Sequence, residues 1–139
     1  MERKIRVLIA KPGLDGHELG ARLISRVLMD AGMEVIYTGP RQTAKMVANS
    51  AMQEDVDVVG LSFLGGSQKE HTAEISRLLK ANGMSDVVLV VGGVIPPMDV
   101  SPLKKSGADG VFPSGADIVE ITKSIRDLVK KKRKKAVTA

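Results

Sequence analysis

The run Val87-Val88-Leu89-Val90-Val91 limits the folding options of this chain more than any other stretch. Five consecutive aliphatic residues, four of them β-branched, read as a strand. A strand sends successive side chains to opposite faces, so this one is apolar on both and needs cover on both sides. That places it in the middle of a sheet enclosed by helices. The run from Val56 to Ser62 makes the same demand, being apolar on both faces from Val58 onward.

The rest of the chain supplies the cover. Ile5 to Ala10 reads as a first strand, followed by a loop and then, from about Gly20, a helix. Its apolar positions Leu23, Ile24, Val27, Leu28 and Ala31 keep a helical spacing, and Gly32 ends it. Glu34 to Tyr37 is a short second strand stopped by Gly39-Pro40. Thr43 can cap a second helix whose inner face would be Met46, Val47, Ser50 and Ala51. A third helix covers about Lys69 to Ala81, with Ala73, Ile75, Leu78 and Leu79 inward. Pro96-Pro97 delays the next helix to about Val100 to Lys105, a fifth strand follows near Gly110 to Phe112, and a last helix starts near Asp117. It carries Ile118, Ile121, Ile125 and Leu128 on one face and runs into a string of lysines. Strands alternating with helices through short connections imply right-handed crossovers and a parallel sheet. The expected fold is a single doubly wound, flavodoxin-like α/β domain with five strands in the order 2-1-3-4-5.

Composition removes several functions. There is no cysteine, which excludes disulfides, thiolate metal sites and cysteine nucleophiles. Aromatics are 2% (Tyr37, Phe63 and Phe112), too few for a base-stacking nucleic-acid module. The net charge of +5 resides in Lys130 to Lys135, six of the 21 basic residues; the other 15 stand against 16 acidic residues. The basicity therefore belongs to a tail, and no nucleic-acid partner is expected. No apolar stretch reaches the roughly 20 residues of a membrane helix, and no signal peptide opens the chain, so a cytoplasmic protein without a membrane partner is expected.

In a sheet of this order, ligands bind beyond the carboxyl ends of the strands, where strands 1 and 3 diverge. Lys11, Asp15, His17 and Gly20 follow strand 1; Ser62, Leu64, Gly65 and Gly66 end strand 3; Gly92-Gly93 and Ser114-Gly115 end strands 4 and 5. Glycines gathered at one rim suit a large ligand lying along it. Asp15 is near enough to His17 to fix its tautomer, leaving the other ring nitrogen free as ligand or base, and Lys11 could hold Asp15 ionised. The only other histidine is His71 on the third helix, so an ordinary zinc site lacks ligands. One oriented histidine suits a metal that arrives in a macrocycle with an axial position open. The loop is neither a P-loop nor a G-x-G-x-x-G fingerprint. Strand 3 lacks the acidic residue of a response regulator, and Gly60-Leu61-Ser62-Phe63-Leu64 lacks the last glycine of a hydrolase elbow.

Asp15-x-His17-x-x-Gly20, Ser62-x-Leu64 and Gly92-Gly93, in this order on such a chain, resemble the cobalamin-binding domain of the base-off, histidine-on class. Lys11-Pro-Gly-Leu-Asp-Gly-His17, Glu54 to Ser62 and Gly92-Gly-Val-Ile-Pro-Pro97 resemble most the acyl-CoA mutase branch typified by methylmalonyl-CoA mutase. The resemblance covers about residues 4 to 130 and departs from the family pattern at Glu18-Leu19, Gln68 and Pro113 to Ala116.

The resemblance implies that His17 is the lower axial ligand of cobalt, with Asp15 hydrogen-bonded behind it and Lys11 completing the relay. It also implies that Ser62 bonds the displaced nucleotide base and Leu64 lines its slot. Gly16, Gly20, Gly65, Gly66, Gly92, Gly93, Ser114 and Gly115 would make room for the nucleotide tail and corrin edge. Residues 1–130 would form the cobalamin-binding domain and 131–139 a basic tail. The implied protein is a free-standing small subunit carrying adenosylcobalamin. It would dock on a separate large subunit, of TIM-barrel type, that binds an acyl-CoA for radical 1,2 carbon-skeleton rearrangement. A 2-hydroxyisobutyryl-CoA-type mutase is the near alternative. A corrinoid carrier for methyl transfer is the more distant one, because strand 1 begins near Ile5 and leaves no room for a helical cap domain.

Overall fold

A computed structural model describes residues 3–13, 18–64, 66–113 and 115–138 of the chain, with side chains as far as Lys134. The strands are β1 (Arg6–Ala10), β2 (Glu34–Tyr37), β3 (Val58–Phe63), β4 (Val88–Gly93) and β5 (Gly110–Phe112). The helices are α1 (Leu19–Asp30), α2 (Ala44–Gln53), α3 (Gln68–Ala81), α4 (Val100–Lys105) and α5 (Ile118–Thr138), with a 3-10 turn over Pro97–Asp99. All strand pairs are parallel and the order is β2-β1-β3-β4-β5. This is the doubly wound, flavodoxin-like arrangement that the alternating pattern requires.

The period of two along each strand sorts the core into two clusters. One face presents Leu8, Val59, Leu61, Phe63, Leu89 and Val91 to Val47 and Ala51 of α2, Ile75 and Leu79 of α3 and Leu103 of α4. The other presents Val7, Ile9, Val58, Val88 and Val90 to Ala21 and Leu28 of α1 and to Ile125 and Val129 of α5. The side chain of Thr43 caps α2, accepting from the Met46 N–H at 3.1 Å. The glycine at 93 closes β4 at a point where no other residue fits: a Cβ there would lie 2.0 Å from the Phe63 carbonyl oxygen, with φ at +111°.

Three helices bury a different stripe from the expected one. In α1, Leu23 is exposed and the buried positions are Ala21, Ser25 and Leu28. In α2, Met46 is exposed and Ala44, Val47, Ala48 and Ala51 face in; in α3, Ala73 is exposed while Gln68, Thr72 and Ser76 join Ile75 and Leu79 inside. Ile118 at the start of α5 is also exposed. Close approach of helix to sheet favours small residues at the contact, and that outweighs the hydrophobicity of a larger neighbour.

The lysine run also differs from a fading helix end. The helix α5 continues through it to Thr138. Lys132 donates to the carbonyls of Ser85 (3.0 Å) and Val87 (3.3 Å) and pairs with Asp109, and Arg133 pairs with Asp57. Both aspartates also hold the amino-end rim of the sheet: Asp57 accepts from the backbone N–H of Arg6 and Asp109 from that of Leu89.

Candidate functional site

The carboxyl ends of β1, β3, β4 and β5 converge with α1 and α5 on a cleft of about 190 Å³. Its origin is legible strand by strand. On the face toward α1 and α5, β3 presents Val58, Gly60 and Ser62, and β4 presents Val88, Val90 and Gly92. Gly60, Ser62 and Gly92 are small, so the sheet carries little side-chain bulk near the carboxyl rim on this face. The walls are Ile24, Leu28, Ile121 and Ile125 from the two helices, with Phe112 at the end of β5 and Pro113 just after it. Among the described lining residues, Ser62 alone has a polar side chain. The cleft therefore suits a flat, largely apolar group with one polar edge, and none of its described lining residues is a carboxylate, an amine or an imidazole.

Gly20, Gly92, Gly93 and Gly115 all line the cleft. A methyl group at Gly20 would sit 3.9 Å from Ser62 Oγ, and one at Gly92 would sit 3.7 Å from the Phe112 carbonyl oxygen. Side chains at either position would narrow the cleft. Leu64 and Gly66 are not among the lining residues: β3 ends at Phe63, and the chain then turns, leaving Leu64 43% exposed on the rim. Asp15, Gly16, His17, Gly65 and Ser114 lie outside the described residues.

Lys11 is 2% exposed, an unusual state for a lysine, and its Nζ donates to the Ser62 carbonyl at 3.3 Å. It ties the end of β1 to the end of β3 at the point where the sheet changes direction. Three neighbouring residues escaped the sequence reading. Gly60 lies on the cleft floor, where a Cβ would come within 2.8 Å of Ile9 Cδ1; a glycine inside a central strand was its signal. His71 stacks on Phe63 (centroids 6.2 Å apart), and its Nε2 is 3.0 Å from where a Gly13 Cβ would lie. Tyr37 donates to Glu18 Oε1 at 2.8 Å, a contact between elements that no local pattern announces. Burial first, then the Glu18 hydrogen bond and charge, push the Tyr37 hydroxyl up to about 12, against the pull of Arg22.

Residues 5–123 match the family model described as the B12 binding domain. The chain belongs to that family. Among its relatives is the 2-hydroxyisobutanoyl-CoA mutase small subunit of Aquincola tertiaricarbonis, 45% identical over 125 residues, covering 90% of this chain and 92% of that protein. The methylmalonyl-CoA mutase large subunit of Streptomyces virginiae is 40% identical over 129 residues, covering 93% of this chain but 17% of that protein. A crystal structure of a cobalamin-binding protein from Desulfitobacterium hafniense DCB-2 has the same fold, with a TM-score of 0.76 and 22% identity over 88% of this chain and 60% of that one. Among the described residues no group of three or more His, Asp or Glu could hold a metal ion, and cobalt in a corrin needs no such group.

Proposed function

We propose that this chain is the cobalamin-carrying small subunit of an acyl-CoA mutase, similar to methylmalonyl-CoA mutase in the way it holds its cofactor. The observation that carries this reading is the 45% identity to a mutase small subunit over 92% of that protein's length. The cleft at the carboxyl ends of the strands is the physical support. In this reading His17 is the lower axial ligand of cobalt, Asp15 orients its ring through a hydrogen bond, and buried Lys11 favours the ionised form of Asp15. Ser62 bonds the nucleotide base inside the cleft. The small residues Gly16, Gly20, Gly65, Gly66, Gly92, Gly93, Ser114 and Gly115 leave room for the tail and the corrin edge, against which Leu64 lies.

The cofactor is adenosylcobalamin, which when bound supplies an organic radical for 1,2 carbon-skeleton rearrangement. The work of this chain is to bind, orient and shield. Apolar side chains at the same rim (Leu19 at 82% exposure, Met98 at 81% and Val119 at 74%) support docking of a second, larger subunit over the cofactor. That subunit would be of TIM-barrel type and would bind the acyl-CoA. Residues 1–130 make up the cofactor unit and 131–139 a basic extension, in a cytoplasmic enzyme that uses no nucleic acid and no membrane. Among the described residues no helix is long and apolar enough to cross a membrane.

The test is reconstitution with the large subunit and adenosylcobalamin, assayed with 2-hydroxyisobutyryl-CoA and methylmalonyl-CoA. Isomerisation of either is the expected outcome. Corrinoid-dependent methyl transfer with no isomerisation would favour the carrier reading instead. His17→Ala should remove the axial nitrogen from the EPR spectrum of bound cob(II)alamin, and an unchanged spectrum would sink the ligand assignment.

A further inference from the structure

Both ends of the histidine loop are fastened to one short segment, residues 37–42. Upstream, Pro12 pairs with Gln42 in a parallel bridge; the Gln42 N–H donates to the Lys11 carbonyl (2.9 Å) and the Gly13 N–H to the Gln42 carbonyl (3.0 Å). Gln42 is buried, and its amide donates to the Thr38 carbonyl at 3.4 Å. Downstream, the Tyr37 hydroxyl donates to Glu18 Oε1 at 2.8 Å. Arg22 donates to the same oxygen at 3.3 Å and lies 5.5 Å from the centre of the Tyr37 ring. Glu18 directly follows His17 and stands at the N-cap of α1, yet its side chain makes no cap hydrogen bond. The carboxylate turns to the Tyr37 hydroxyl and the Arg22 side chain instead of to the backbone N–H groups of its own helix.

The upstream bridge is a backbone contact lying just past the β1–β2 pairing, of the kind common at strand ends. The downstream contact has no such origin. Tyr37, Glu18 and Arg22 do not line the cleft, and i,i+4 pairing with Arg22 needs no tyrosine. A loop with both ends fixed in advance loses less freedom when it captures a ligand, and that saving appears as affinity.

We propose that Tyr37 is a positioning residue for the axial ligand: through its hydrogen bond to Glu18 it fixes the downstream end of the loop and so places His17 beneath cobalt. The inference rests on the proposed axial role of His17. Its test uses the whole chain with cob(II)alamin as probe, following affinity by equilibrium dialysis and axial nitrogen splitting by EPR. Tyr37→Phe removes one oxygen and keeps the ring under Arg22. It should bind about tenfold more weakly, with part of the bound cofactor lacking the nitrogen splitting.

Glu18→Ala should reproduce that loss, the double variant should be no worse than either, and Glu18→Gln, which still accepts from Tyr37, should stay near wild type. Glu18→Ala also carries the test if the phenylalanine variant does not fold. In a His17→Ala background the Tyr37→Phe effect should vanish, because no axial ligand remains to be placed. Wild-type affinity and splitting in Tyr37→Phe would overturn the inference, as would a loss that persists undiminished without His17. Failure of the wild-type chain to show the splitting would instead overturn the ligand reading beneath it.

Discussion

The two faces of the central sheet are built from alternate residues of the same strands, and they differ in purpose. Toward α2, α3 and α4, β3 presents Val59, Leu61 and Phe63, side chains that grow toward the carboxyl rim and are buried to 4% exposure or less. Toward α1 and α5, the same strand presents Val58 and then the small residues Gly60 and Ser62, which line the cleft. The period of two lets one strand serve both ends. One face is filled and contributes stability; the other gives up apolar contact near its rim and gains a slot.

Substitutions can break or sharpen that contrast. The largest effect belongs where the faces share backbone. Gly93→Ala would drive a methyl group onto the Phe63 carbonyl at a left-handed φ, and a loss of about 4 kcal/mol or more, or failure to fold, is expected by denaturant unfolding. Phe63→Ala on the filled face should cost about 3–5 kcal/mol in the same measurement, leaving His71 without its stacking partner. Gly92→Ala on the open face should behave in the opposite way. Its methyl would meet Phe112 at ordinary contact distance, so stability should change by less than about 1 kcal/mol. Cobalamin affinity should nevertheless fall about tenfold or more. Equal affinity for wild type and Gly92→Ala would mean that the cleft is not the nucleotide slot.

A spectroscopic prediction concerns the edge of the open face. Tyr37 is the only tyrosine and the chain has no tryptophan, so tyrosinate absorbance reports it alone. Its midpoint should lie near about 12. Because the folded-state value is raised, the contribution to stability is complete below pH ~10, the unfolded tyrosine value, and is lost as pH rises through about 12. Glu18→Ala should move the midpoint down, and an unshifted midpoint would mean that the contact does not form in solution. The smallest effect is at the opposite rim. Lys132→Ala removes a partly exposed pair with Asp109 and should cost about 1 kcal/mol or less, diminishing in high salt.

The strand order, the glycine-lined rim and Ser62 at the switch point were all legible in the sequence, because each depends on local period and on residue size. The inward stripe of α1 was not, since Leu23 scores as core while Ser25 is what fits against the sheet. The lysine run read as a solvated tail because charge alone cannot show that Asp57 and Asp109 wait at the end of the sheet to receive Arg133 and Lys132.

The sequence by itself determined the alternating strands and helices, and with them a doubly wound sheet and a rim fit for a large ligand. Only the tertiary structure decided which residues meet there. Gln42 beside Lys11, Tyr37 on Glu18 and His71 against Gly13 join positions far apart in the chain. Such contacts follow from how helices settle on a twisted sheet, where distance in space no longer follows distance in sequence.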